Sequence, residues 1–381
     1  MDLIRLGDIA TYINGYAFKP KDWREKGIPI IRIQNLNDPN KEYNYFDGEI
    51  DSKYLVNEGD ILISWSASIG VYEWRGQQGV LNQHIFKVDF NKIKIDKKYF
   101  KYIVSIALNR ALQYMHGSTM KHITKQYFDN ILIPVPLFDQ QIKIANILDQ
   151  AQELIDKRKA QIEALDELIQ SVFYDMFGDP GLNSKGWETG RISDIIVKTQ
   201  YGTSTKANET EGEYAVLRMN NITYSGNWDF KSLKYVDLDE KDRKKYLVYK
   251  GEVLFNRTNS KELVGKTAVY KREEPMAYAG YLVKATPNNR ANGQFIASYM
   301  NTKYTKSLLF NMAKNIVGMA NMNAEEFKNI KVYIPPIEIQ NQFAEIVESI
   351  EKQKELLNES LVELENNFNS LVQRAFKGEL F

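Results

Sequence analysis

"KYLVNEGDILIS" (residues 53–64) and "KYLVYKGEVLFN" (residues 245–256) are one phrase written twice in the same chain, at an offset of 192. In both, a Gly-acid turn opens a run of large apolar residues, the composition of a buried strand. Other pairs extend the match in each direction. "RLGDI" (5–9) answers "RISDI" (191–195), and "IRIQNL" (31–36) answers "LRMNNI" (217–222), both at 186. "YFDNILIPVP" (127–136) answers "EFKNIKVYIP" (326–335) at 199. The offset slips in loops, where insertions are tolerated. The chain is therefore an internal repeat of a long unit, and its fold has to be read twice.

Each unit opens with short strand-like runs separated by Gly, Asn and Asp turns: "PIIRI", "DILIS" and "HIFKV" in the first copy, "AVLRM", "EVLFN" and the segment around 278–283 in the second. A helical stretch follows, at about 97–116 and 293–314, then a Pro-containing strand exit, "ILIPVP" or "VYIPP". One long helix ends each unit. In the first, Ile144, Leu148, Ala151, Ile155, Arg158, Ile162, Leu165, Ile169, Val172 and Met176 alternate steps of four and three. In the second, Phe343, Val347, Ile350, Lys354, Leu357, Leu361, Leu364, Phe368, Leu371 and Ala375 do the same. A seam of period 3.5 held this long in both copies predicts a coiled coil, with Arg158 and Lys354 either setting register or facing a partner.

The expected fold is α+β: two mixed α/β domains, internally repeated, separated by two long helices that form an antiparallel coiled coil. Boundaries are expected at 1–136 and 179–336 for the domains and at 137–178 and 337–381 for the helices. A seam from residue 144 to 176 spans about 50 Å at the helical rise, longer than one DNA turn of about 34–36 Å.

Formal charge follows the same division. The overall +1 separates into +3 for residues 1–136, −4 for 137–178, +7 for 179–336 and −5 for 337–381. Two basic domains thus alternate with two acidic helices. With no cysteine and only His84, His116 and His122, a disulfide framework and a thiolate zinc site are excluded, and a histidine metal cluster is not expected. No apolar run approaches the roughly 20 residues of a membrane helix, and the start lacks a signal-like core, so a cytoplasmic protein with no membrane contact is expected.

The chain resembles the specificity subunits of type I restriction-modification enzymes, over essentially its whole length. The residues that carry the resemblance are "GEVLFNRTNSKELVGKTAVY" (251–270), the Pro-rich exits into "QIKIANILD" and "QNQFAEIVE", and the helix ends "FYDMFGDP" and "AFKGELF". The resemblance implies two target recognition domains, each reading one half of a split asymmetric site in double-stranded DNA. It also implies helices that set the spacing and dock two methyltransferase subunits, with restriction and translocase subunits joining in the full complex. It implies no catalysis and no cofactor in this chain. In keeping with that, the Asn/Asp-Pro-Pro-aromatic motif of an adenine methyltransferase is missing, and the acid-x-Lys triplet "DEK" (239–241) is short enough to recur by chance.

Base edges are read by Arg, Asn and Gln, whereas Lys, Ser and Thr mostly hold phosphates. Paired loops supply candidates of both kinds. Arg32, Gln34 and Asn35 correspond to Arg218, Asn220 and Asn221, with strand capping the alternative duty of the Asn pair. After the Gly-acid strand, Ser66 and Ser68 stand against Arg257, Asn259 and Lys261, and Trp65 of the same loop is read first as core. Lys121 and His122 face Ala320 and Asn321 in a third loop, while Tyr16 and Lys19 answer Thr203, Ser204 and Lys206 in a fourth. Gly15 and Gly202 are assigned to the turn itself. The modest basicity implies that the isolated chain binds DNA weakly.

One stretch offers a rival chemistry. "SKELVGKT" (260–267) lacks only the first Gly of a phosphate-binding loop. In the first copy Gly70 aligns with Gly265, but Val71 and Tyr72 replace Lys266 and Thr267, and "TAVYK" downstream reads as a strand where that loop must open a helix. A hairpin tip aimed at DNA is expected instead, with Lys266 a candidate for a phosphate of the duplex. Two alternatives remain beside the resemblance: a specificity subunit whose partner fuses modification and cleavage, and a coiled-coil scaffold with no DNA role.

Overall fold

The computed structural model describes residues 2–38, 40–66, 68–114, 123–316 and 319–380. The chain divides into two compact units, Met1–Lys159 with Glu359–Phe381, and Ala160–Asn358. Each is built around strands whose order is the same in both.

In the first unit, Thr11–Asn14, Ile85–Asp89, Ile61–Ser64 and Gly70–Glu73 lie in that order as an antiparallel sheet. A second sheet orders Asn44–Phe46, Ile28–Ile31, Gly79–Leu81 and Leu55–Val56, its middle pair parallel. Asp2–Arg5 pairs with Leu132–Val135. The second unit repeats this plan. Ile196–Tyr201, Leu282–Pro287, Val253–Asn256 and Thr267–Val269 form one sheet, and Lys234–Val236, Tyr214–Leu217, Met276–Tyr278 and Leu247–Val248 the other, again with a parallel middle pair. Glu188–Arg191 pairs with Lys331–Ile334. The two phrases quoted at the outset end on Ile61–Ser64 and Val253–Asn256, all eight residues of which are buried. Strands covered on both faces have no reason to alternate in polarity, hence the unbroken apolar runs.

A lysine joins the two four-stranded sheets at the same place in both units, half-buried in the first and buried in the second. The Lys87 ammonium donates to the Leu55 carbonyl at 2.6 Å, and Lys284 donates to that of Leu247 at 2.6 Å. Lys284 also meets the Glu252 carboxylate at 3.2 Å. Burial pushes its ammonium below the usual range, an effect that the Glu252 charge partly offsets.

The helical stretch of the first copy is one helix, Lys97–Tyr114, but that of the second is two, Gly293–Met300 and Lys303–Met312. Side-chain hydrogen bonding breaks the expected single helix. Thr302 turns its hydroxyl to the Thr305 N–H as an N-cap, and the Asn301 carboxamide reaches out to the Thr267 carbonyl at 2.6 Å.

The long helices run Phe138–Phe177 and Ile337–Lys377. Within the first unit, Ile144, Ala145 and Leu148 from the start of one share a core with Val372 and Ala375 from the end of the other. Within the second unit the order reverses, and Phe173 and Phe177 meet Phe343 and Val347. The Phe343 ring lies edge-on to Phe173 and Phe177 at 5.6 and 5.3 Å. Both sets of contacts require the helices to run antiparallel. Lys354, which interrupts the seam, forms an ion pair with Asp166 of the facing helix. Among the described residues, no helix is long and apolar enough to cross a membrane.

The first unit thus takes part of its core from the last residues of the chain. A chain ending at Asn358 would lose Val372 and Ala375 together with Phe368 and Leu371, which pack beside them. At about 1.5–3 kcal/mol for each large buried side chain, that loss approaches a typical domain's stability of about 5–15 kcal/mol. Hydrogen exchange should show lost protection in Ile61–Ser64 and Ile85–Asp89, with Val253–Asn256 still protected.

Candidate nucleic-acid interface

The Val253–Asn256 strand carries straight into Arg257, and three neighbouring segments fix that residue. Its N–H donates to the Tyr281 carbonyl at 3.0 Å, and its own carbonyl accepts the Met322 N–H at 2.9 Å. Beyond it, Thr258–Asn259 pairs with Met319–Asn321, which in turn pairs with Lys314–Ile316. The Arg257 side chain lies over the Tyr201 ring at 5.1 Å from the centroid, and its Nε donates to the Met322 carbonyl at 3.4 Å. Tyr201 is itself pinned, its hydroxyl accepting the Ala324 N–H at 2.9 Å. Lys261 lies nearby in sequence, its ammonium 4.4 Å from the Phe310 centroid. Asn259 accepts the Ser260 N–H at 2.9 Å, and Asn321 accepts the Thr258 hydroxyl at 3.4 Å. The structure thus gathers Arg257, Asn259 and Asn321 on adjoining strand ends. Ser204 and Lys206 are exposed on the loop that follows Tyr201.

In the first unit the same junction carries different chemistry. The Ile123 N–H donates to the Trp65 carbonyl at 3.4 Å, the counterpart of the Met322–Arg257 bond. Trp65 stacks on Phe86 at 5.8 Å and packs against the core, as its reading as core anticipated. The Ser66 carbonyl accepts the Ser64 hydroxyl at 3.1 Å, and Ser68 is exposed. Tyr16 is 42% exposed, with Phe18 and Tyr54 against its ring, and Lys19 is exposed at the start of a short 3-10 turn. Lys121 and His122 lie outside the described residues.

Several candidates hold the loops together instead of facing outward. Asn35 and Asn221 are each 1% exposed. The Asn35 carboxamide accepts the Arg32 N–H at 3.2 Å and donates to the Lys41 carbonyl at 3.2 Å, while Asn221 accepts the Arg218 N–H at 2.9 Å and donates to the Asp229 carbonyl at 2.7 Å. Both are strand-exit caps and are withdrawn as base contacts, because their polar groups are spent on backbone beneath the surface. Exposed Gln34 and Asn220 stand beside them, Gln34 donating to the Glu42 carbonyl at 3.1 Å. Arg32 is partly committed, to the Asn44 carboxamide at 2.9 Å and to the Trp23 ring at 5.3 Å, and Arg218 to the Ser232 carbonyl at 2.6 Å. Thr203, 4% exposed, accepts the Thr205 N–H and is likewise withdrawn. A Cβ at Gly15 would collide with the Asn82 carbonyl, and one at Gly202 with those of Tyr278 and Ala279, so both glycines serve the close turn.

Lys266 corrects a second expectation. It is 6% exposed, and its ammonium donates to the Met219 carbonyl at 2.7 Å and to that of Ile222. It therefore ties down the loop that carries Asn220 and is not placed to hold a phosphate, of nucleotide or duplex. Thr267, also buried, donates to the Gly265 carbonyl at 2.9 Å and enters the strand Thr267–Val269. The strand reading of "TAVYK" stands, and no helix N-terminus follows the glycine.

Two residues of this region escaped sequence reasoning. Tyr201 ends a strand of otherwise unremarkable pattern, and nothing local reveals that Arg257 will stack on it. Lys306 reads as an ordinary helix-surface lysine in the sequence, yet its ammonium is buried 4.9 Å from the Tyr224 centroid, with no hydrogen-bond partner among the described residues. Burial, and secondarily the charge of Lys266, pushes it down to about 8.

With this geometry in hand, the comparisons are specific. A family model described as the type I restriction modification DNA specificity domain matches residues 1–164 and again residues 184–366. The chain belongs to that family. It is 23% identical to the EcoBI specificity subunit of Escherichia coli across 99% of this chain and 85% of that one, and 24% identical to the EcoKI specificity subunit of the same species across 98% and 87%. The MjaVIII specificity subunit of Methanocaldococcus jannaschii is 23% identical across 100% and 92%. Among solved structures, a chain from a study of type I restriction-modification assembly superposes with a TM-score of 0.61 at 15% identity, covering 100% of this chain and 98% of that one. The specificity subunit from M. genitalium gives 0.55 at 14% identity, over 98% and 96%. At such identities the structures speak for the fold alone.

The cap assignment is testable by contrast. Asn221→Ala should destabilise the second unit by about 1–3 kcal/mol in urea titrations, since it orphans a buried N–H and carbonyl, whereas Asn220→Ala should stay within about 0.5 kcal/mol. A second expectation concerns pH. Lys306 releases its proton near 8 when folded but near its ordinary 10.5 when unfolded, so the unfolded chain holds more protons between those values. Stability should therefore rise with pH across that window, and Lys306→Met should flatten the rise in pH-dependent denaturation.

Proposed function

We propose that this chain is the non-catalytic, DNA-reading subunit of a type I restriction-modification complex, each globular domain reading one half of a split asymmetric site. The observation that carries the proposal is the junction at Trp65 and Arg257: the same backbone bond in the same topology, with an aromatic anchor in one copy and a positioned guanidinium in the other. A repeat kept only for assembly has no reason to keep the frame and change the tip. Gln34, Ser66, Ser68, Tyr16 and Lys19 are the remaining contacts proposed for the first domain. Asn220, Asn259, Lys261, Ser204, Lys206 and Asn321 serve with Arg257 in the second. Arg32 and Arg218 act with the donors their loops leave free.

In this reading the long helices set the spacer and dock two methyltransferase subunits, with the restriction subunits joining in turn. Support comes from apolar side chains left exposed along them, among them Leu154, Leu168, Ile346, Leu356 and Val362. In the second unit an apolar groove of about 520 Å³, lined by Ala164, Leu165, Leu356 and Leu357, lies along the helix pair. The small net charges of +3 and +7 mean that partners supply most of the phosphate neutralisation, so the isolated chain binds duplex weakly with a shallow salt slope.

Single-molecule methylome sequencing of cells carrying the chain and its methyltransferase should return a split methyladenine motif. Replacing residues 179–336 with the corresponding domain of another subunit should change one half-site and leave the other. Change in both halves, or in neither, contradicts the modular reading.

A further inference from the structure

Arg257 differs from the other candidate arginines in what it has left to offer. Arg32 spends an Nη on Asn44, and Arg218 spends one on Ser232. Arg257 spends only its Nε, on the Met322 carbonyl, and both Nη groups are without partners among the described residues. The guanidinium carbon lies over the Tyr201 ring, 5.1 Å from its centroid, and the Tyr201 hydroxyl accepts the Ala324 N–H. The backbone beneath is held by Tyr281, by Met322 and by the Thr258–Asn321 pairing. The result is a half-buried arginine at a strand end, held through its Nε and over the Tyr201 ring, with two Nη donors to offer.

A phosphate can be met from many directions, and a mobile lysine suffices for it. A fork whose plane is fixed suits two acceptors side by side. In the major groove the O6 and N7 atoms of guanine present that pair, and bidentate Arg is their commonest partner. We infer that the second domain reads a G·C pair through the paired Nη donors of Arg257, with Tyr201 as the positioning residue that sets their plane. Lys206 and Lys261 are left for the flanking phosphates. Trp65 at the equivalent place means that the first domain makes no such contact there. The inference rests on the DNA-reading role proposed above and adds to it the base and the residue.

The test uses the full chain co-expressed with its methyltransferase, in wild type and in the variants Arg257→Lys, Arg257→Ala, Tyr201→Phe and Tyr201→Ala. The half-site that moves with residues 179–336 should contain a guanine. Binding of the purified complex to duplexes altered at that base should fall about 5- to 150-fold for the wild type, corresponding to about 1–3 kcal/mol of discrimination. Arg257→Lys and Tyr201→Ala should lose most of that discrimination while still methylating with the first half-site intact. Tyr201→Phe, which keeps the ring but loses the hydroxyl that accepts the Ala324 N–H, should fall between wild type and Tyr201→Ala. Intact reading of the first half-site shows that the variants fold and assemble.

A second half-site built only of A·T pairs would overturn the inference while leaving the DNA-reading role in place. So would an Arg257→Lys variant that discriminates as before, or an Arg257→Ala variant that weakens binding equally for every sequence and lowers the salt slope by about one, the signature of a phosphate contact. Absence of any split motif would overturn the DNA-reading role itself, and this inference with it.

Discussion

Closure of each core by both long helices is the constraint on which the rest of the chain depends. Neither helix belongs to one unit: the first passes from unit to unit after Lys159, and the second passes back after Asn358. Ile144 and Leu148 are covered by Val372 and Ala375, which arrive more than two hundred residues later in the chain. A change at either end of the seam is therefore felt in a globular core. The Lys354–Asp166 ion pair adds register to this closure. Apolar seams tolerate slippage by a heptad, but a partly buried ammonium that slips away from its carboxylate is left unpaired.

Within each unit, a second constraint acts between sheets. Burying the ammonium of Lys284 is costly, and its bonds to the Leu247 carbonyl and the Glu252 carboxylate are what make it tolerable; the half-buried Lys87 makes the equivalent bond to Leu55. Because the bond joins the two sheets, slippage of one against the other would orphan a charge. Specificity of packing here comes from a polar group placed where only one arrangement satisfies it.

The architecture was legible in the sequence because it is written in apolar periodicity, and written twice. Strand runs such as "DILIS" and "EVLFN", the seams and the Pro-rich exits all follow from which residues leave water, a property of residue type and spacing. The fate of individual polar side chains was not legible to the same degree. Asn220 and Asn221 are adjacent and alike, yet one is exposed and the other buried as a cap, since chain direction at a strand exit decides which side faces in. Lys266 and Lys306 were equally opaque: each meets its surroundings through residues more than forty positions away, or nearly twice that, and no local pattern encodes such pairings. The split of 293–314 at Asn301 depends likewise on a bond to Thr267.

These two kinds of information divide the labour of the recognition loops. Asn35 and Asn221 hold equivalent loops by equivalent bonds, to the N–H of Arg32 and Arg218 and to carbonyls across the loop. Backbone shape is thereby set from below, by groups that never reach the surface. Exposed tip residues such as Gln34 and Asn220 contribute little to that shape and so can change freely, whereas Trp65 packs on the core and Thr203 is buried. A frame held by buried caps and tips released from structural duty is what lets one fold be duplicated within a chain and the two copies drift toward different chemistry without loss of stability. The near phosphate-binding loop shows the same divergence: Phe255 pairs with Thr267 where Ile63 pairs with Val71, so the tether Lys266 stands at the place of Gly70, and the φ of +83° at Gly265 has no counterpart at Gly70.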